Sequence, residues 1–63
     1  MSKTLAAEIA SRTLEVTNPA NRPFALTATL RRHGFDPSAE PPAQLVDRAE
    51  LVAWLLATYA PRE

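Results

Sequence analysis

Apolar residues crowd the end of the chain at positions 51, 52, 54, 55, 56 and 59, and their spacing predicts a helix over residues 47–60. Asp47-Arg48-Ala49-Glu50 reads as an aspartate capping box, with Asp47 at N-cap and Glu50 at N3. Val46 and Leu51 supply the matching hydrophobic staple, and Pro61 closes the element.

A second helical pattern opens the chain. Leu5, Ile9, Thr13 and Val16 recur at helical spacing beside Ala6 and Ala10, which predicts a helix from Ser2 to about Leu14. Ser2 or Thr4 can cap it, and Glu8 lies early enough to favour the positive end of the helix dipole. Leu14 and Val16 also alternate with Glu15 and Thr17, a pattern that admits a short strand near residues 13–17. Asn18-Pro19 stops either element, because a residue before proline is pushed out of the α region.

The middle of the chain admits two readings. Phe24, Leu26, Ala28 and Leu30 alternate as a strand would, and with Leu14 and Val16 they would make a hairpin. The end of the segment favours a helix from Phe24 to His33 instead. His33-Gly34-Phe35 fits a Schellman ending with Gly34 at C′ and Phe35 at C″ over Leu30, and Arg31 and Arg32 occupy the last turn, where cations are favoured. Asn21 is the expected N-cap, with Pro23 inside the first turn. Asp36 to Gln44 holds three prolines and reads as extended, so ordering it costs less chain entropy than its length suggests. The expected fold is therefore all-α: one domain over residues 1–63, with three short helices and a proline-rich extended linker before the last.

Composition narrows what such a domain does. Of the 29 hydrophobic residues 12 are alanine, which favours helices but adds little to a core. Chains near this size bury only about 60% of their unfolded surface and often need a disulfide, a metal or a second chain. There is no cysteine, and His33 alone cannot build a zinc site. No metal or other cofactor is expected, which leaves association as the staple.

Catalysis is not expected either. Gly34 is the only glycine, so phosphate-cradling loops are excluded. His33 would be the sole base for a Ser or Thr nucleophile, and the glutamates show no paired arrangement for acid–base work. No apolar run is long enough for a membrane span and no signal peptide is evident at the N-terminus, so the expected location is the cytoplasm.

The net charge is zero but unevenly placed. Residues 1–35 carry five cations against two carboxylates, and residues 36–63 carry two against five. That asymmetry suits contacts between halves or between subunits. Arg31-Arg32-His33 is the densest positive cluster, matching a helix C-terminus or the rim of a contact. Trp54 lies beside Leu51 and Leu55 as a core residue would. Yet Leu51, Val52, Trp54, Leu55, Leu56 and Tyr59 together sweep roughly 200° of the helix, against about 100° for an ordinary surface helix. A three-helix domain cannot easily cover so wide an arc. The expectation is a non-enzymatic interaction module (a regulator, adaptor or inhibitor) that docks on another protein or on a second copy of itself as a homodimer. Val52, Trp54, Leu56 and Tyr59 would form the apolar contact and Arg31 and Arg32 its electrostatic rim.

Leu30-Arg31-Arg32-His33-Gly34-Phe35, a non-helical stretch, and then Asp47-Arg48-Ala49-Glu50-Leu51-Val52 resemble the helix–extended–helix layout of SAP-type modules. The same layout is similar to the peripheral subunit-binding domains of acyltransferases. The resemblance spans about half the chain. Its linker departs from the SAP pattern in being longer, proline-bearing and free of glycine, with acidic surroundings. The first likeness implies DNA binding, and the second implies docking on a partner enzyme. A nucleic-acid module using Arg22, Arg31, Arg32 and Arg12 is accordingly the alternative to the protein-docking expectation.

Overall fold

Ser2 sets where the first helix begins. Its backbone is extended and its Oγ accepts the Leu5 N–H at 3.1 Å, so α1 runs Lys3–Leu14. The computed structural model describes residues 1–59 and adds two further helices, α2 over Arg22–Arg32 and α3 over Arg48–Thr58. The fold is all-α, with no strand among the described residues.

The strand considered near residues 13–17 does not form. Leu14 ends α1, and the next donors are spent on helix-end bonds: Glu15 N–H to the Ser11 carbonyl at 3.0 Å and Val16 N–H to the Thr13 carbonyl at 3.3 Å. The hairpin over residues 14–30 is likewise replaced by helix.

Asn21 does not cap α2 with its side chain. Asn18 acts one turn earlier, its Oδ1 accepting the Ala20 N–H at 3.1 Å and opening a 3₁₀ turn over Pro19–Asn21. That turn runs directly into α2, which therefore starts at Arg22 and needs no separate cap. The far end follows the Schellman pattern residue for residue. Gly34 takes φ +83°, its N–H reaches the Arg31 carbonyl at 3.0 Å, and the Phe35 N–H reaches Leu30 at 2.9 Å.

At α3, Asp47 Oδ1 accepts the Ala49 and Glu50 amides at 2.9 and 3.4 Å, whereas Glu50 returns no bond. The capping box is thus one-sided. Nor does Val46 form a staple; it stays 63% exposed while the adjacent Leu45 turns inward and is buried. A linker that meets the core one residue earlier accounts for the exchange. The helix ends at Thr58 with Tyr59 as its C-cap, two residues short of the expected end at residue 60, because Tyr59 leaves helical geometry; the closure by Pro61 lies outside the described residues.

α1 packs against both α2 and α3, which touch each other at most marginally. Ala6, Ile9 and Ala10 meet Leu26 and Leu30 of α2 and Leu51 and Leu55 of α3 in one cluster, joined by Met1 and Leu45. Thr13 is the buried polar residue among those described, and its hydroxyl donates to the Ile9 carbonyl at 2.9 Å. Among the described residues no buried side-chain donor or acceptor lacks a partner.

One guanidinium holds the connections. Arg22 donates from Nε to the Val16 carbonyl at 3.0 Å and from Nη1 to the Leu45 carbonyl at 2.8 Å. It thereby ties the exit of α1, the start of α2 and the entry to α3. Hydrogen bonds from a charged donor contribute about 1.5–3 kcal/mol, and water partly replaces these two at a half-buried site. Arg22→Ala should therefore lower unfolding stability by about 2 kcal/mol. Urea titration checks this, and Arg22→Lys should recover little, because a single ammonium cannot reproduce the planar fork.

Candidate docking surface

α3 divides its apolar arc three ways. Leu51 and Leu55 are buried against α1. Trp54 and Tyr59 stay half-buried and form an edge-to-face aromatic group with Phe35: Tyr59 lies 5.4 Å from Phe35 and 6.0 Å from Trp54 between ring centroids. Val52 and Leu56, also half-buried, flank the core on the side away from Trp54 and face a groove. The four apolar candidates thus form two separate pairs.

α1 and α3 run antiparallel. At one end the Met1 ammonium donates to the Tyr59 carbonyl, and at the other Arg48 Nε donates to Ser11 Oγ at 3.1 Å. Between them lies an open groove of about 430 Å³. Ala7 from α1 and Ala49, Val52, Ala53 and Leu56 from α3 form its floor, and Lys3 and Arg48 supply its cations. Among the described residues no carboxylate lines it. Small-molecule sites usually enclose most of their ligand; this one is open along its length.

Arg31 and Arg32 project into solvent at the C-terminal end of α2, on an element that contributes nothing to the groove. Of the other two arginines named for a phosphate contact, Arg22 is the clamp described above, held by backbone carbonyls, and Arg12 lies in a weak, exposed i,i+4 pair with Glu8 at 3.6 Å on α1. The described residues contain no group of three or more His, Asp or Glu placed to hold a metal. None of their helices is long and apolar enough to cross a membrane.

Sequence reasoning missed Lys3, Ala7, Ala49 and Ala53. Their one signal was the pair of alanines at i and i+4 on α3, which composition alone counts as helix formers. Lys3 and Ala7 join the site only through the antiparallel pairing.

The fold and the groove define a small three-helix all-α domain with an open apolar channel between antiparallel helices. No protein-family model matches the chain, and no curated protein or solved structure matches it.

Tyr59 reports on the aromatic side of α3. Its hydroxyl donates to the Asp36 carbonyl at 3.2 Å, fastening the linker to the helix end. Burial, and secondarily the Asp36 carboxylate, push its ionisation above the ordinary value of 10.0. The folded state thus favours the neutral phenol. The resulting stability is fully present below the unfolded value near 10 and is lost as pH rises through the folded one. Tyr59 is the sole tyrosine, so phenolate absorbance should titrate at higher pH in the folded chain than in urea. Unfolding free energy should decline through the same alkaline window.

Proposed function

We propose that the protein is a non-enzymatic interaction module that docks on another protein by receiving one of its helices in the α1/α3 groove. One observation supports this above the rest. After Leu51 and Leu55 have entered the core, Val52 and Leu56 still line an open channel with three alanines between the antiparallel α1 and α3. Helix-in-groove docking needs such a surface: an apolar floor, small residues that admit a close backbone, and polar ends. Regulators, adaptors and inhibitors of this size work by such contacts. Of the four arginines the nucleic-acid reading invokes, Arg22 is held by two internal carbonyls.

Of Val52, Trp54, Leu56 and Tyr59, it is Val52 and Leu56 that would make the apolar contact, with Trp54 and Tyr59 supporting the helix from behind. Photocrosslinking in the host cell tests the proposal. Benzoylphenylalanine at exposed Ala53 should yield an adduct with one other protein, and the same probe at exposed Ala28 on α2 should not. A covalent dimer of the chain itself, or no adduct specific to Ala53, would sink it.

A further inference from the structure

The two cations of the groove stand at opposite ends. Lys3 opens α1 beside the end of α3 where the Met1 ammonium meets Tyr59, and Arg48 opens α3 beside Ser11. From Lys3 to Ser11 and from Arg48 to Leu56 the chain advances by the same eight residues, which at 1.5 Å each is about 12 Å. Both cations are exposed, and neither forms an ion pair among the described residues; Arg48 has only the Ser11 hydroxyl. Among the described residues, the channel between them carries positive charge at each end, apolar side chains in the middle and no anion.

Resting on the docking proposal above, we infer that the occupant is an amphipathic helix of a different protein bearing two carboxylates seven residues apart, with large apolar side chains at the third and fourth positions after the first carboxylate. Seven residues span about 10.5 Å and return to the same helix face, so both carboxylates reach the cations through flexible side chains. Residues three and four beyond the first carboxylate project from that same face, midway between the two anions. There they meet Ala7, Ala49 and Ala53, whose small side chains leave room for a leucine or phenylalanine.

A second copy of this chain does not fit the requirement. Two pairs of its carboxylates are seven apart, Glu8 with Glu15 and Glu40 with Asp47. Glu8 and Glu15 flank Ser11 and Arg12, which are not apolar, and Glu8 already pairs with Arg12. Glu40 and Asp47 lie in the non-helical linker and at a helix cap.

The probe is a side-chain-stapled synthetic helix with glutamates seven apart, leucines at the third and fourth positions between them and glutamine or alanine elsewhere. Amide NMR on the full chain should show shifts at Ala7, Ala49 and Ala53 on its addition. Exposed ion pairs are weak singly, so reversing one, as in Lys3→Glu, should reduce affinity about five- to tenfold at low salt. Arg48→Glu should act in the same direction. Lys3→Glu should also regain binding to a peptide whose facing glutamate is replaced by lysine. Equal binding by a peptide with both glutamates changed to glutamine would overturn the charge inference and leave groove docking standing. If neither peptide shifts the three alanine amides, both are overturned. Concentration-dependent shifts at those alanines without peptide would mean a second copy occupies the groove, which also overturns the inference. Unchanged dispersion elsewhere in each variant's spectrum confirms that it remains folded.

Discussion

α1 has to serve as the core partner of two helices that barely meet each other. Twelve residues must therefore present apolar surface on two sides, and the arc they share lies where α2 and α3 both approach. Ala6 and Ala10 occupy that arc with no exposed surface, beside Ile9 and Thr13. Larger side chains there would push the neighbours apart and open voids, since close packing tolerates little misfit in either direction. Thr13 belongs to the same solution. Its hydroxyl turns back on the Ile9 carbonyl one turn earlier, so a polar side chain sits in the core without an unmet hydrogen bond. Remove α1 and no helix pair remains.

That geometry makes the core thin, and polar contacts at its margins compensate. The Met1 ammonium meets a carbonyl at the end of α3, where helices leave such groups without internal partners. Arg22 gathers two carbonyls from segments that have left helical geometry. Tyr59 fastens its hydroxyl to Asp36 and its ring to Phe35, so the start of the linker is held against the end of α3. Leu45 anchors the linker's other end in the core. The proline-rich stretch between them is thus pinned at both ends, although it forms no regular structure of its own.

Local rules were readable where a few adjacent residues decide the outcome. Ser2, Asp47 and the Leu30-to-Phe35 Schellman turn behave as their types and spacing require, because each uses only backbone groups within one turn. Asn21 and Val46 fail for a reason of range. The alternatives, Asn18 and Leu45, are equally suitable chemically, and the path of the loop across the rest of the molecule chooses between them. The candidate site divides along the same line. A wide apolar arc was visible in α3, and the domain at least half-buries all six of its residues, with Val52 and Leu56 in the part facing a groove. Trp54 and Tyr59 turned towards Phe35 because the linker passes there, which no periodicity encodes. Lys3 and Ala7 come from the opposite end of the sequence and reach the site only through antiparallel packing.

The alanines on the outer side of α3 bear on why the groove exists at all. Ala49 and Ala53 are exposed, and so is Ala57 one turn further. Helix stability does not demand alanine at those places, since Lys, Glu, Gln and Arg cost only a few tenths of a kcal/mol more. Solvation would favour the charged residues. A lysine or glutamate at position 49 or 53 would lay its methylenes across Val52 and Leu56 and cover the channel, as long side chains commonly do over apolar surface. Alanine does not. The channel stays open because its floor and wall are short, while the two residues with length to spare, Lys3 and Arg48, stand at its ends. Short side chains along the middle and long cations at the margins leave an apolar surface open to solvent.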